Sequence, residues 1–121
     1  MKIIISILGS TGSVGLSTLK IVNNKKKNFK VNLLSANKNY SLICKQIKKY
    51  KPNIFVINNV KIFQKIKKKF KKTKIKILNN FFSTSIKKSD ITISAITGIA
   101  GLMPTLIMIK KSKKILVANK E

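Results

Sequence analysis

Short apolar runs alternate with amphipathic segments along the whole chain, and the alternation predicts strands and helices in turn. The run Ile3-Ile4-Ile5-Ser6-Ile7-Leu8 reads as a buried strand. After a cluster of glycines come Leu16, Leu19, Ile21 and Val22, which suggest an amphipathic helix ended by the polar run Asn23 to Asn28. Val31 to Ser35 is the next strand. Ser41 is the expected N-cap of a helix through Leu42, Ile43, Ile47 and Tyr50, which Pro52 stops before the strand Ile54 to Ile57. A lysine-rich helix from Lys61 to Lys71 presents Ile62, Phe63, Ile66 and Phe70 on one face, and Ile75 to Leu78 follows as a strand. Further on, Asn80 to Ile86 predicts a short helical turn and Ile91 to Ser94 a buried strand introduced by Asp90. Gly98 and Gly101 frame a loop before a helix from Met103 to Lys110 with Pro104 in its first turn, and Ile115 to Val117 is the last strand.

Strands that are near-continuous in Ile, Val and Leu, separated by helices, imply a parallel sheet covered on both faces. The expected fold is α/β, a doubly wound, Rossmann-like sheet forming one domain over residues 1–121. Ligands of such sheets bind beyond the carboxyl ends of the strands. Those ends are Gly9 to Gly15, Ser35 to Asn39, Asn58-Asn59, Ala95 to Gly101 and Ala118 to Glu121.

The first of these segments, Gly9-Ser10-Thr11-Gly12-Ser13-Val14-Gly15, sits between a strand and a helix, the context in which a glycine motif points to phosphate binding. Glycines let main-chain N–H groups approach a pyrophosphate, and the new helix faces the anion with its unpaired N–H groups and dipole. Ser10, Thr11 and Ser13 add hydroxyl donors. The spacing GxxGxxG differs from the usual GxGxxG, and Leu16-Ser17 after Gly15 excludes a P-loop, which needs Lys-Ser/Thr there.

The net charge of +25 raises the possibility of a polyanion-binding module. All 27 basic residues are lysine, however, and a base-reading or phosphate-clamping surface would use the bidentate fork of arginine. Most lysines, such as Lys65, Lys67, Lys68, Lys69, Lys71 and Lys72, read as solvated helix faces, and no specific nucleic-acid partner is expected. Histidine is absent and Asp90 and Glu121 are the only carboxylates, so no metal cage, Ser/His/Asp triad or carboxylate pair can be assembled from this chain. The single cysteine, Cys44, reads as a small core side chain of a protein in a reducing compartment. The apolar runs are far short of the ~20 residues a membrane span needs. A cytoplasmic location is expected.

At the end of the second strand, an acid would bind the ribose hydroxyls of NAD. Ser35-Ala36-Asn37-Lys38-Asn39 contains none, and Lys38 can pair with a 2′-phosphate, which favours NADP.

Three blocks carry a family resemblance: Leu8-Gly9-Ser10-Thr11-Gly12-Ser13-Val14-Gly15, then Ile96-Thr97-Gly98-Ile99-Ala100-Gly101-Leu102-Met103-Pro104-Thr105, and Ala118-Asn119-Lys120-Glu121. In order and spacing they span essentially the whole chain, which resembles the amino-terminal NADPH-binding domain of the 1-deoxy-D-xylulose 5-phosphate reductoisomerases. The resemblance implies phosphate contacts from Thr11, Gly12, Ser13 and Val14, and contacts around the adenosine phosphate from Asn37, Lys38 and Asn39. It also implies that Asn119 and Glu121 lie near the nicotinamide half and that Lys120 reaches the sugar-phosphate substrate. The family rearranges 1-deoxy-D-xylulose 5-phosphate to a branched aldehyde and reduces it with NADPH to 2-C-methyl-D-erythritol 4-phosphate, in non-mevalonate isoprenoid synthesis. A divalent Mg or Mn ion polarises the carbonyl, its carboxylate ligands coming from a further domain, and the enzymes are homodimers. This resemblance assigns no catalytic residue to the chain itself, which is expected to bind cofactor and catalyse nothing alone. Another NADP-dependent dehydrogenase domain and the charge-driven polyanion-binding module remain the alternatives. A short-chain dehydrogenase would need a Tyr-x-x-x-Lys pair, which neither Tyr40 nor Tyr50 provides, and Cys44 lies too early to be the nucleophile of a semialdehyde dehydrogenase.

Overall fold

A computed structural model describes residues 2–83 and 85–118. Strand β1 (Ile3–Leu8) leads into helix α1 (Ser13–Asn24), then β2 (Phe29–Ala36), α2 (Tyr40–Tyr50), β3 (Ile54–Ile57), α3 (Val60–Lys69) and β4 (Lys76–Leu78). The chain continues as β5 (Ser89–Ser94), a 3-10 turn at Gly98–Gly101, α4 (Leu102–Ile109) and β6 (Ser112–Val117). The strands form one sheet in the order β4-β3-β2-β1-β5-β6, with every pairing parallel.

The two faces of the sheet are covered unequally. One buries Ile5, Ile7, Val31, Leu34, Phe55 and Ile57 under Leu19 and Val22 of α1, Ile43, Cys44 and Ile47 of α2, and Ile66 and Phe70 at α3. Cys44 is thus a core residue, as its place in the apolar pattern predicts. The opposite face buries Leu8, Leu33, Ile54 and Val56 under Met108 of α4 and under Ile86, with Phe81 packed alongside. The chain therefore crosses from edge strand β4 back to β5 over this second face. That reversal, between β1 and β5, is the topological switch point of the sheet.

Local chemistry sets the element ends. Helix α1 begins at Ser13, three residues before the expected apolar start, because the chain leaves the glycine turn directly into helical geometry. Asn39, not Ser41, caps α2: its side chain accepts the Leu42 N–H at 3.2 Å, and the helix starts at Tyr40. Lys51 ends α2 in the left-handed conformation, with φ of 45°, ahead of Pro52. Asn59 caps α3 in the same way as Asn39 caps α2.

No helical turn forms among the described residues of 80–86. Asn80 Oδ1 accepts the Phe82 N–H at 3.0 Å and Ser83 Oγ accepts the Ser85 N–H at 3.1 Å, local bonds that compete with a helix. Strand β5 is only partly buried: among the described residues only β6 lies beyond it, and its Leu116 and Val117 are exposed.

Strand β2 carries one extra residue. Ile5 pairs with Val31 and Ser6 with Leu33, leaving Asn32 as a bulge. Its buried amide donates to Ser89 Oγ at 3.1 Å and the Lys87 carbonyl at 3.2 Å, and accepts from Asn53 Nδ2 at 3.1 Å. The bulge thereby fastens the start of β5 and the approach to β3.

Asp90 also fastens the start of the sheet. It accepts the Ile4 N–H at 2.8 Å and pairs with Lys113 at 3.2 Å, and these contacts, the backbone bond first, hold its carboxyl below its ordinary range. A lowered folded-state pKa gives stability that is present above the unfolded value and lost as pH falls through the folded one. With no histidine and only two side-chain carboxylates in the chain, few other groups titrate in this window. The urea midpoint is expected to fall as pH drops below about 4. The Asp90→Asn variant should show a smaller fall, and equal profiles for the two proteins would remove Asp90 from the account.

Candidate functional site

The glycine turn projects from the carboxyl end of β1 and is held there by the end of β2. Gly9 N–H donates to the Ser35 carbonyl at 3.1 Å and to Ser35 Oγ at 3.0 Å, and Ser10 N–H donates to the same carbonyl at 2.8 Å. Gly9 adopts φ of +80°, a conformation open to glycine and costly for other residues. Gly15 lies against the turn so closely that a Cβ on it would stand 2.2 Å from the Gly9 carbonyl oxygen.

Helix α1 starts here without a side-chain cap, in contrast to the asparagine-capped α2 and α3. The N–H groups of Ser13 and Val14, in its first turn, have no partner within the helix. A Cβ on Gly12 would meet only the Gly9 carbonyl oxygen, at 3.8 Å, so the approach to these donors is open.

Beside the turn is a cavity of about 350 Å³ spanning the carboxyl ends of four strands. Its walls include Gly9, Thr11 and Gly12 after β1, Ala36 and Asn37 after β2, Asn58 after β3, and Ala95 and Thr97 after β5. Phe81 and Pro104 close the side toward the second face. The loops after β2 and β3 are tied together by Asn58 N–H to the Ala36 carbonyl at 3.0 Å and Asn59 N–H to the Asn37 carbonyl at 3.1 Å.

The structure brings Thr11, Gly12 and Asn37 to one cavity, with Ser13 and Val14 exposed beside it on the first turn of α1. Lys38 is exposed on the same loop as Asn37, and Asn39 is engaged as the α2 cap. Asn119, Lys120 and Glu121 lie outside the described residues. One expectation is corrected: Ser10 is fully buried, and its hydroxyl bonds to Gln46 Oε1 at 2.7 Å, so it is spent inside the protein and offers no donor to a phosphate. Gln46 itself was not among the expected site residues. The signal for it is a polar residue three positions after Ile43 and four before Tyr50, on the buried stripe of α2.

Among the described residues no acidic side chain lines the cavity, and Asp90 sits at the opposite end of the sheet. Among the described residues no cluster of three His, Cys, Asp or Glu could hold a metal ion, and no helix is long and apolar enough to cross a membrane. Among the described residues the site is an uncapped helix start beside a crevice lined by uncharged side chains, in a strongly cationic protein, an arrangement suited to a phosphate-bearing ligand.

A parallel sheet in this order, with a glycine turn at its switch point, defines a Rossmann-like domain of the dinucleotide-binding class. A family model for 1-deoxy-D-xylulose 5-phosphate reductoisomerase matches residues 5–121. The chain belongs to that family. The reductoisomerase of Pelagibacter ubique (strain HTCC1062) is 43% identical over 123 residues, covering 97% of this chain and 31% of the relative. That of Buchnera aphidicola subsp. Schizaphis graminum is 46% identical over 123 residues with the same coverage, 97% and 31%. The structure of the Zymomonas mobilis reductoisomerase in complex with NADPH superposes with a TM-score of 0.88 at 27% identity, covering 99% of this chain and 32% of that one. A DOX-P reductoisomerase in complex with NADPH, fosmidomycin and magnesium gives a TM-score of 0.85 at 25% identity, covering 100% and 31%. This chain thus spans about a third of the length of the relatives it matches.

Proposed function

We propose that residues 1–121 form the NADPH-binding part of a reductoisomerase that converts 1-deoxy-D-xylulose 5-phosphate to 2-C-methyl-D-erythritol 4-phosphate. The observation that carries this reading is the uncapped start of α1 behind Gly12, at the switch point of a sheet that superposes on an NADPH complex of that family. In this reading the Ser13 and Val14 N–H groups and the Thr11 hydroxyl bind the pyrophosphate, with Gly12 keeping the approach open. Asn37, Lys38 and Asn39 surround the adenosine phosphate, Asn39 through the amide nitrogen that its capping bond leaves over. Asn119 and Glu121 act near the nicotinamide and Lys120 toward the sugar phosphate.

Bound NADPH supplies a hydride. This chain's own part is to orient the cofactor, since the described residues place no acid-base pair at the crevice. A divalent Mg or Mn ion and its carboxylate ligands belong to further chain of the enzyme, which works in the cytoplasm as a homodimer. The buried free thiol of Cys44 accords with a reducing compartment.

The test is titration of the chain with NADPH and NADH at moderate salt, beside a Lys38→Ala variant. The wild-type chain is expected to prefer NADPH, and Lys38→Ala to lose about tenfold of that preference, the size of one charge-assisted hydrogen bond. Weak binding of both nucleotides that disappears as salt rises would identify non-specific lysine electrostatics instead and refute the cofactor reading.

A further inference from the structure

The glycine turn has little to hold it from within, since its internal bond from Gly12 N–H to the Gly9 carbonyl is 3.4 Å long. It is held from outside, by Ser35 on one side and by Gln46 on the other. Ser10 Oγ donates to Gln46 Oε1 at 2.7 Å, while Gln46 Nε2 donates to the Ser10 carbonyl at 2.9 Å. A carbonyl only accepts, so one orientation of the amide satisfies both bonds. Ser10 is 0% exposed and Gln46 4%. Removing the amide would leave the Ser10 carbonyl without its side-chain donor inside the protein.

We propose that Gln46 is a positioning residue for cofactor binding, acting through Ser10 to aim the Thr11 to Val14 segment at the pyrophosphate. The inference rests on the NADPH reading above. Gln46 touches no ligand itself, because Ser10 and the turn stand between it and the crevice. Its position on the inner stripe of α2, between Ile43 and Ile47 of the core, gives the clamp a rigid base. Methionine at this position would match the length and volume while removing both bonds. Alanine at Ser10 would remove the hydroxyl, and with it the bond to Gln46 Oε1 and the 3.2 Å contact to the Ser35 carbonyl, while leaving the bond from Gln46 Nε2 to the Ser10 carbonyl in place.

The experiment compares wild type, Gln46→Met and Ser10→Ala by NADPH titration and by residue-resolved amide exchange. Gln46→Met is expected to weaken NADPH about tenfold and Ser10→Ala by less, because Ser10→Ala keeps the bond from Gln46 Nε2 to the Ser10 carbonyl. The spectroscopic signature is faster exchange and shifted resonances at Ser10 to Val14 in Gln46→Met, with the amides of β3 still protected. A residue that merely supported the core would loosen β3 as well. If wild type binds NADPH and Gln46→Met binds it equally well, or if β3 loosens in step with the turn, the clamp is refuted and the cofactor reading stands. Should Gln46→Met fail to fold, Ser10→Ala decides, and unchanged affinity and exchange in it refute the clamp. Failure of wild type to bind NADPH would overturn both readings.

Discussion

Gly15→Ala should destabilise the chain by about 2 to 3 kcal/mol, the range typical of overpacking a close contact. In an ordinary helix the same change is stabilising by about 1 kcal/mol, so the sign of the effect is itself the test. The new Cβ would lie 2.2 Å from the Gly9 carbonyl oxygen and 2.7 Å from Ser10 Cα. Both are backbone atoms, so no side-chain rotation relieves the contact. Gly9 cannot retreat easily, because its N–H is bonded to Ser35 and a Cβ on it would already stand 3.0 Å from the Ala95 carbonyl oxygen. Thermal unfolding is the measurement, with a fall in Tm on the order of 10 °C. A Tm equal to or above that of wild type would mean that α1 does not approach the turn as closely as described.

Gly12→Val separates binding from folding. Gly12 has φ of −82°, which any residue adopts, and a Cβ there finds nothing nearer than 3.8 Å. The fold is therefore expected to survive, at a cost of about 1 kcal/mol for replacing a good N-cap residue by a poor one. The branched side chain would stand over the Ser13 and Val14 N–H groups. NADPH affinity should fall roughly a hundredfold, the size of two lost charge-assisted hydrogen bonds. Titration beside a melting curve reads both quantities, and a Gly12→Val protein that folds and binds NADPH as wild type does would move the phosphate site elsewhere.

The parallel sheet was legible because its strands are apolar on both faces, as Ile54 to Ile57 shows, and because glycines follow β1 directly. The cap of α2 was harder to read. Asn39 and Ser41 both suit the position, and only the hydrogen bond to Leu42 decides between them. Residues 80–86 look helical by their apolar content, yet among the described residues of that stretch the Asn80 and Ser83 side chains bond the local backbone and no helix forms. At the site, the strand-end rule located Asn37 and Asn58, whereas Phe81 reaches the crevice through a connection whose path depends on the whole sheet. The Ser10–Gln46 clamp joins positions 36 residues apart and has no signature in either segment alone. A buried glutamine on an apolar stripe is the one local trace of it.

The Ser35 carbonyl accepts from both Gly9 and Ser10, and the chain runs on from Ser35 straight into Asn37, Lys38 and Asn39. One residue is therefore the fulcrum of two loops. A ligand long enough to touch both meets a single preassembled body, and once one end is seated the other faces its contacts at high effective concentration. On the NADPH reading, fragments that carry only one end lose that advantage, and the two halves of the dinucleotide should bind together far more tightly than either alone.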